Sequence, residues 1–279
     1  MTRVAFQGEP GAFSEEAVRL YFGGDVEPVP CRDFACVGDA VARGEVDFGV
    51  LPVENTLAGS VVAACDVLVA LPLEIVGEVV TPIHHCVLAL PGASLERLAR
   101  VHSHPVALAQ CTRFFSSRPG VVAVAAYDTA GAAAEVARRG ALDEGAIAGR
   151  GAAERYGLAV LAADVEDRPD NQTRFLVVKH RGSGVVPPRA GSGAMKSALV
   201  VETANIPGAL VGVLAPFAAR GINLSKLESR PTGEPWRYRF HVEIDADARS
   251  DAASRALEEA RAHASRLDVL GSFPRWDGR

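Results

Sequence analysis

Several short polar segments follow apolar runs, and each could present hydrogen-bond donors to a small anion. The first is Gly8-Glu9-Pro10-Gly11-Ala12-Phe13-Ser14, between a predicted strand and a helix that we expect Ser14 to cap. A loop leading into a helix N-terminus can leave backbone N–H groups free for an anion. An ordinary strand-to-helix turn explains the segment equally well. The Gly-x-Gly-x-x-Gly spacing of dinucleotide sites is not present, so NAD is not predicted.

A second polar segment occupies residues 52–61. A buried strand is predicted to end at Pro52, and Ser60 is predicted to cap the helix that follows. Asn55, Thr56 and Ser60 could then all face a carboxylate. The alternative is that Asn55 and Thr56 bond only to the backbone of the turn.

A third segment, Asn171-Gln172-Thr173-Arg174-Phe175, places a hydroxyl, a guanidinium and an aromatic ring at the start of a predicted strand. Because side chains alternate along a strand, Thr173 and Arg174 should point to opposite sides if both lie in regular strand. Two weaker loops run from His104 to Cys111 and from Asp128 to Ala130. In the latter, Asp128 or Thr129 is predicted to cap a helix.

Histidine and cysteine are the remaining residue types that could bind a metal or react. His84-His85-Cys86 and His102-Ser103-His104 have no carboxylate at ligand spacing in the sequence, so no metal site is predicted. The five cysteines are odd in number and show no Cys-x-x-Cys pair. We therefore expect reduced thiols, mostly small core residues.

Composition restricts the class of protein. The chain has 279 residues, of which 48% are hydrophobic, and 29 basic residues against 34 acidic ones. Such a chain is expected to be globular with two domains, and nothing in its charge indicates nucleic acid or a membrane surface as a partner. No signal peptide or membrane span is predicted, which indicates a cytoplasmic protein with a small-molecule ligand.

The chain divides at a segment rich in Gly, Ser and Pro. We predict an N-terminal domain over residues 1–182, a linker over 183–194 and a C-terminal domain over 195–279. Before the linker, apolar runs alternate with helical patterns, which is typical of an α/β fold with ligands at strand ends. After it, the pattern strand–helix–strand–strand–helix–strand predicts a ferredoxin-like βαββαβ unit.

Taken together, these segments resemble the prephenate dehydratase family. The N-terminal matches are Gly8 to Ser14, Pro52 to Thr56 with Gly59-Ser60-Val61, His104 to Cys111, Tyr156-Gly157-Leu158 and Asn171 to Phe175. The C-terminal matches are Asn205 to Leu210, Ile222-Asn223-Leu224, Glu228 to Pro231 and Leu270 to Pro274, which resemble the family's regulatory ACT domain. Two positions depart from the family pattern, Val106 in place of Gln and Val62 in place of a polar residue.

The resemblance implies two α/β lobes, similar to periplasmic binding proteins, with the active site between them. It implies elimination of carbon dioxide and hydroxide from prephenate to give phenylpyruvate, without a cofactor or metal. Thr173 is the implied catalytic residue, and Arg174 is the expected carboxylate clamp. The implied substrate-binding residues are Asn55, Thr56, Gly59, Ser60, Gln110, Thr129, Ala130, Arg174 and Phe175.

For the C-terminal domain, the resemblance implies feedback by L-phenylalanine and a homodimer or homotetramer. The implied effector residues are Asn205, Pro207, Gly208, Ala209, Leu210, Glu228, Ser229 and Arg230. Packing within a ferredoxin-like fold is the alternative explanation for these segments. Two other functions stay open: arogenate dehydratase, which eliminates the same groups from the amino analogue, and a non-catalytic small-molecule binder.

Overall fold

The computed structural model describes residues 1–188 and 193–278. Within it the chain forms two compact units, one of Met1–Cys65 with Val79–Phe175 and one of Asp66–Glu78 with Leu176–Arg279. Residues 66–78 and 176–182 thus group with the C-terminal unit, whereas the sequence placed them in the N-terminal domain. The predicted linker at 183–194 includes residues 189–192, which lie outside the described residues.

Strands and helices are interspersed up to residue 180, in the mixed α/β pattern that the sequence predicted. The strands are β1 (Thr2–Gln7), β2 (Val26–Cys31), β3 (Phe48–Asn55), β4 (Gly59–Ser60), β5 (Leu73–Pro82), β6 (Cys86–Ala89), β7 (Arg100–Ser103), β8 (Val122–Ala125), β9 (Glu144–Ala148), β10 (Ala159–Ala162) and β11 (Gln172–His180). The helices are α1 (Phe13–Phe22), α2 (Phe34–Ala42), α3 (Val62–Ala70), α4 (Pro105–Ala109), α5 (Thr112–Ser116), α6 (Thr129–Arg139) and α7 (Arg150–Tyr156).

Two sheets organise this part of the chain. The first has the order β2-β1-β3-β11-β5, with β4 beside β3, and the second has the order β10-β6-β9-β7-β8. We call the parts built on them lobe 1 and lobe 2. Strand β1 is parallel to β2 and β3, and β7 is parallel to β8 and β9. Parallel strands are usually covered on both faces, which explains why β3 is apolar and buried through its first six residues.

Helix ends show where the sequence placed boundaries well and where it did not. The Asp128 carboxylate accepts from the Gly131 N–H and caps α6, which ends at Gly140 in the left-handed conformation, as expected. The predicted caps Ser14 and Ser60 are wrong. Helix α1 begins at Phe13, so Ser14 lies inside its first turn, and Ser60 belongs to the short strand β4, which pairs with β3. Strand β3 also continues past Pro52 to Asn55.

The C-terminal part has the predicted βαββαβ order. Its elements are β12 (Met195–Glu202), α8 (Ala209–Ala218), β13 (Leu224–Pro231), β14 (Tyr238–Ile244), α9 (Asp251–Arg261) and β15 (Arg266–Pro274). The sheet order is β13-β14-β12-β15. Phe217 of α8 and Leu257 of α9 pack with Leu199 and Ile244 from the sheet, forming one apolar core. The expected fold class, two α/β lobes and a ferredoxin-like unit, is therefore confirmed.

Two close contacts join β5 to the C-terminal sheet within the second unit. The buried Lys196 ammonium lies 2.7 Å from the Glu243 carboxylate and 3.4 Å from that of Glu78, and both carboxylates are also buried. The backbone of β15 also approaches β5 so closely that a Cβ added at Gly271 would overlap the carbonyl oxygen of Ile75. Within the described residues, no helix is long and apolar enough to cross a membrane.

Candidate active site

A cleft of about 470 Å³ lies in the first unit and is lined by residues of both lobes. Its walls include the start of α1, the loop before α2, the end of β3, the start of β11 and the starts of α4 and α6. The side chains that bear on its chemistry are Phe13, Ser14, Arg32, Asp33, Asn55, His85, His104, Val106, Gln110, Tyr127, Asp128, Thr129, Thr173 and Phe175. A cleft of this size suits a small organic molecule.

Thr173 lies at the start of β11 and lines the cleft, although only 9% of the residue is exposed. Its Oγ1 accepts a hydrogen bond of 2.9 Å from Asn55 Nδ2. Since a hydroxyl carries one proton, this acceptance leaves the Thr173 O–H to donate elsewhere. Thr173 is thus placed where it can donate to a ligand in the cleft.

Asn55 also begins a longer series of side-chain hydrogen bonds. Its Nδ2 lies 2.8 Å from Asn171 Oδ1, and Asn171 Nδ2 lies 3.1 Å from Gln110 Oε1. The same Gln110 oxygen is 3.0 Å from His85 Nε2. Burial lowers the pKa of His85, although its contact with Gln110 and the charge of Glu166 act in the opposite direction. The wall therefore carries a connected set of neutral polar groups.

Arg174 is not among the residues that line the cleft. Its Nη2 lies 2.9 Å from Glu54 Oε2, and its side chain is 14% exposed. Consecutive strand residues face opposite sides, so the orientation that brings Thr173 to the cleft turns Arg174 away from it. The clamp role expected for Arg174 therefore has no support in the geometry.

Three other expected substrate contacts are also absent from the cleft lining. Thr56 Oγ1 accepts from the Gln172 N–H at 3.0 Å and donates to the Asp170 carbonyl at 3.3 Å, which ties the β3 turn to β11. Gly59 and Ser60 form β4 against the end of β3. These residues hold the segment that carries Asn55, while Ala58 and Val61 of the same turn line the cleft.

The remaining expected residues are divided between the cleft and its support. Gln110, Thr129 and Phe175 line the cleft, whereas Ala130 is fully buried behind it. Asp128 lies beside Thr129, and burial raises the pKa of its carboxyl group even though backbone N–H groups of Gly131 and Ala130 favour its charged form. The start of α6 thus brings one neutral and one acidic side chain to the site.

The N-terminal loop joins the lobes, and two of its N–H groups are already bonded within lobe 1. The N–H of Gly8 donates to the Cys31 carbonyl, and that of Gly11 donates to the Glu15 carboxylate at 2.7 Å. Gly8 has φ +115°, and a Cβ there would lie 2.7 Å from an Asp128 oxygen. This approach requires glycine and brings lobe 1 against lobe 2.

A hydrogen bond closes the cleft at the same edge. The Tyr127 hydroxyl of lobe 2 donates to Glu9 Oε1 of lobe 1 at 3.0 Å. Burial, the contact with the Glu9 carboxylate and its negative charge raise the pKa of Tyr127 to about 12. Tyr127 is therefore a neutral donor at physiological pH.

The fold brings carboxylates to a histidine that the sequence showed without any. His84 Nδ1 lies 2.9 Å from Glu166 Oε1 and 3.4 Å from Asp164 Oδ1. Potential ligand atoms of these three residues lie within 4.8 Å of one another. The contact between His84 and Glu166 has the geometry of an ordinary hydrogen bond, so these two side chains already satisfy each other.

A larger concavity of about 810 Å³ lies on lobe 2, between α6 and the strands β7 and β8. Its charged groups are largely paired with one another, Arg138 with Glu135 and Arg100 with Glu144. Tyr127 and Glu9 close one side of it. The smaller cleft has the converging polar groups, so we take that one as the candidate active site.

The expected effector residues lie in two segments of the C-terminal unit. Gly208, with φ +80°, is the N-terminal cap of α8, and the exposed Asn205 precedes it. Glu228 on β13 lies 3.2 Å from Arg230 and 3.4 Å from Lys226. The other expected positions, Pro207, Ala209, Leu210 and Ser229, lie in these same two segments.

Two groups that line or support the cleft had no role in the site that the sequence predicted. His85 was noticed as a metal candidate, and Asn171 was quoted in a motif without a function of its own. Asn171 stands directly before β11, which carries Thr173 and Phe175, and this adjacency was the available signal; His85 had no such neighbour in β6. Val106, where the family has Gln, lines the cleft and contributes no hydrogen bond from its side chain.

Comparison with known proteins identifies the family. A family model for prephenate dehydratase matches residues 4–183, and one for the ACT domain matches residues 197–262. A relative from Arabidopsis thaliana, named arogenate dehydratase/prephenate dehydratase 2, chloroplastic, is 41% identical over 98% of this chain and 72% of its own length.

Solved structures agree with this assignment over the whole chain. The prephenate dehydratase of Arthrobacter aurescens in complex with L-Phe is 33% identical, with a TM-score of 0.89 over 100% of this chain and 91% of that one. A protein described as GqqA, a novel type of quorum quenching acylase, is 34% identical, with a TM-score of 0.88 over 99% of this chain and 98% of that one. This chain belongs to the prephenate dehydratase family of lyase-type dehydratases and carries an ACT domain.

Proposed function

We propose that the chain converts prephenate to phenylpyruvate, with Thr173 as the hydrogen-bond donor to the departing hydroxyl. The observation that carries this proposal is the Thr173 hydroxyl in the cleft, with Asn55 Nδ2 donating to its oxygen. Prephenate carries two carboxylates and a ring hydroxyl. The bond to the ring carboxylate breaks, its electrons enter the ring, and the C–O bond breaks on the other side.

The protein has to orient the substrate and stabilise the oxygen that leaves. The released hydroxide takes a proton and departs as water together with carbon dioxide. Since a threonine hydroxyl is a weak acid, Thr173 contributes by donating a hydrogen bond within a fixed polar array. Formation of the aromatic ring supplies the driving force, so the reaction needs no electron sink.

We propose that the carboxylates of the substrate bind to groups that line the cleft, and not to Arg174. The first residues of α1 and α6, including Ser14 and Thr129, lie on its walls, and helix N-termini favour anions. Arg32 lines the same cleft and supplies a positive charge. Arg174 and Thr56 act on the substrate only through the segments that they hold.

Exclusion of water is the second contribution of the site. The Tyr127 to Glu9 hydrogen bond and the approach of Gly8 to Asp128 bring the lobes together beside the cleft. A ring carboxylate with few water molecules around it loses carbon dioxide more readily. Phe13 and Phe175 add apolar wall to the same space.

The close alternative is arogenate, which has an amino group where prephenate has a side-chain keto group. The name of the Arabidopsis relative includes both activities, which is the observation that favours this alternative. An ammonium group would find Asp33 and Asp128 on the cleft wall. These carboxylates give arogenate a place to bind that prephenate does not need.

Regulation by L-phenylalanine through the ACT domain is part of the same proposal. The Arthrobacter relative was solved with L-Phe bound, and the segments around Gly208 and Glu228 are the expected binding positions.

We also propose a homodimer or homotetramer. Its support is the exposure of Ile206, Val211, Leu227, Trp236 and Tyr238 in the C-terminal domain. The five free cysteines support a reducing compartment such as the cytoplasm.

Similarity to a protein described as an acylase favours a second candidate, hydrolysis of an acyl bond. The cleft supports it less well. The Thr173 hydroxyl bonds to an amide instead of a histidine, and burial lowers the pKa of the nearby His85. Acyl transfer by a hydroxyl needs an adjacent base to take its proton.

The deciding experiment is an assay of the purified chain with prephenate and with arogenate, each with and without L-phenylalanine. Phenylpyruvate is expected from prephenate, and L-phenylalanine is expected to change the rate or the oligomeric state. Turnover of arogenate alone would replace the proposed substrate. Binding without turnover of either compound would favour a non-catalytic binder, and release of a carboxylic acid from an acylated compound would favour the acylase.

A further inference from the structure

The side-chain hydrogen bonds on the cleft wall have a direction that the backbone determines. The series begins at Asn55 Oδ1, which accepts from the N–H of Leu57 at 3.0 Å and from the N–H of Ala58 at 2.8 Å. A backbone N–H can only donate, so the amide oxygen of Asn55 must face these two groups. Its Nδ2 must therefore face Thr173 and Asn171.

This orientation passes to the next two side chains. Asn55 Nδ2 donates to Asn171, so the Asn171 oxygen faces Asn55 and the Asn171 nitrogen faces Gln110. The Gln110 atom that accepts from Asn171 is then its oxygen, Oε1. Each amide is locked in one of its two possible orientations by the amide before it.

The series ends at His85, whose protonation follows from the same logic. Gln110 Oε1 is an acceptor, so His85 Nε2, 3.0 Å away, must carry the ring proton. Nδ1 of the buried His85 then carries a lone pair and no proton. This nitrogen has no hydrogen-bond partner among the described residues. A neutral ring fits this position, since a proton on Nδ1 would also lack an acceptor there.

The same hydrogen bonds determine which atom of the Gln110 amide faces the cleft. Its oxygen is occupied by Asn171 and His85, and its side chain lines the cleft. Among the described residues, Gln110 Nε2 has no acceptor, so it is left to donate into the cleft beside the Thr173 hydroxyl. Two neighbouring donors, the Gln110 amide nitrogen and the Thr173 hydroxyl, suit an anionic or hydroxylated ligand.

We propose that Asn171 and His85 are positioning residues that hold Gln110 with its amide nitrogen toward the substrate. The kinetic consequence rests on the proposed dehydratase function, but the orientation itself does not. Asn171 fixes Gln110 through its donated hydrogen bond, and His85 fixes it through the proton on Nε2. Neither residue needs to touch the substrate.

The test replaces one donor by an acceptor of the same shape, Asn171→Asp. A carboxylate can still accept from Asn55, but toward Gln110 it can only accept. Gln110 is then expected to turn its amide over, donate to the new carboxylate and to His85, and present its oxygen to the cleft. His85 Nε2 would become an acceptor, so the ring proton is expected to move to Nδ1.

Nitrogen-15 NMR of the histidine-labelled full chain measures this shift directly, with the His85→Phe spectrum identifying the signal. The wild-type chain is expected to show the Nε2–H tautomer, and Asn171→Asp the Nδ1–H tautomer. Gln172→Glu adds the same charge on a neighbouring exposed side chain and is expected to leave the tautomer unchanged. An Nδ1–H ring in the wild-type chain, or an unchanged tautomer in Asn171→Asp, would overturn the proposal.

Steady-state kinetics of the same variants provide a second test. Asn171→Asp is expected to lower kcat/KM for the accepted substrate by about 100-fold, the effect of removing one aligned donor, while Gln172→Glu stays near wild type. His85→Gln, which keeps a donor, is expected to retain more activity than His85→Phe, which keeps the ring contact with Phe13 alone. Equal activity of these two His85 variants would contradict the role of His85. If the wild type turns over neither substrate, the proposed function fails while the NMR result still decides this inference.

Discussion

Thr173 and Arg174 are consecutive residues of β11 that serve opposite sides of one strand. The Thr173 hydroxyl accepts from Asn55 in the cleft, and the Arg174 guanidinium pairs with Glu54 away from it. Asn55 and Glu54 are themselves consecutive in β3. Strands β3 and β11 are therefore joined by one side-chain contact on each face, Asn55 with Thr173 and Glu54 with Arg174. The family segment Thr-Arg-Phe thus combines one residue for chemistry with one that holds the strands together.

Removal of the Thr173 hydroxyl should slow the chemical step of the reaction. For Thr173→Val, which keeps the shape of the side chain, we expect kcat to fall on the order of 10²–10³-fold because one aligned donor is lost. Thr173→Ser keeps the hydroxyl and should retain most of the activity. Steady-state kinetics with the accepted substrate, with circular dichroism as the control for folding, measure the effect. Near-normal kcat in a folded Thr173→Val chain would remove the proposed donor role.

Loss of the Arg174 guanidinium should affect stability more than substrate binding. Glu54 is 45% exposed, so solvent screens the pair, and Arg174→Gln is expected to cost about 1 kcal/mol or less. Urea denaturation measures this loss, and Glu54→Gln is the matched partner variant. A large rise in KM with unchanged stability would restore Arg174 as a substrate clamp.

The Asp128 carboxyl should make stability depend on pH in a defined direction. Its pKa is raised by burial, so the folded chain binds this proton more tightly than the unfolded chain. The free energy of unfolding of wild type relative to Asp128→Asn should therefore increase as the pH falls through the raised pKa. Denaturation of both chains across acidic to neutral pH tests this. A relative decrease toward acid would show that the carboxylate is favoured in the folded state.

The Lys196 ammonium should be important for stability because it faces two buried carboxylates. Lys196→Met removes the ammonium that faces the buried carboxylates of Glu78 and Glu243, and removal of one partner from such a group costs about 3–5 kcal/mol. Denaturant unfolding measures the loss. Arg237→Met removes one partner of an exposed pair with Glu234; it is the control and should cost much less. Equal losses in the two variants would show that burial of the charge is unimportant.

The sequence predicted the type of each lobe well because strand and helix periodicity are local. It also predicted the βαββαβ order, with element ends displaced by a few residues. Ser14 and Ser60 were misplaced as caps, since a serine before an apolar run looks the same in the first turn of a helix or in a short strand. The cap of α6 was predicted as Asp128 or Thr129 because the helix has both a capping side chain and a terminal glycine, and Asp128 is the one that caps it.

The candidate site was less accessible to sequence reasoning because it depends on contacts between distant residues. Asn55 lies 118 residues from Thr173, and Gln110 lies 61 residues from Asn171. The sequence could state that Thr173 and Arg174 face opposite ways, but not which of them faces the cleft. The carboxylates beside His84 escaped notice for the same reason, since Asp164 and Glu166 meet it only after lobe 2 has folded.

The contact at Gly271 limits how the regulatory module can be exchanged between proteins. Because β15 approaches β5 so closely at Gly271 and Ile75, an ACT module from a relative with a larger residue at this point would not seat on the strand. A chimera with such a relative, cut at the linker alone, would therefore misfit, whereas one that transfers residues 66–78 together with the ACT segment would keep both surfaces of this contact. The exchangeable unit in this architecture is therefore the module together with its docking strand.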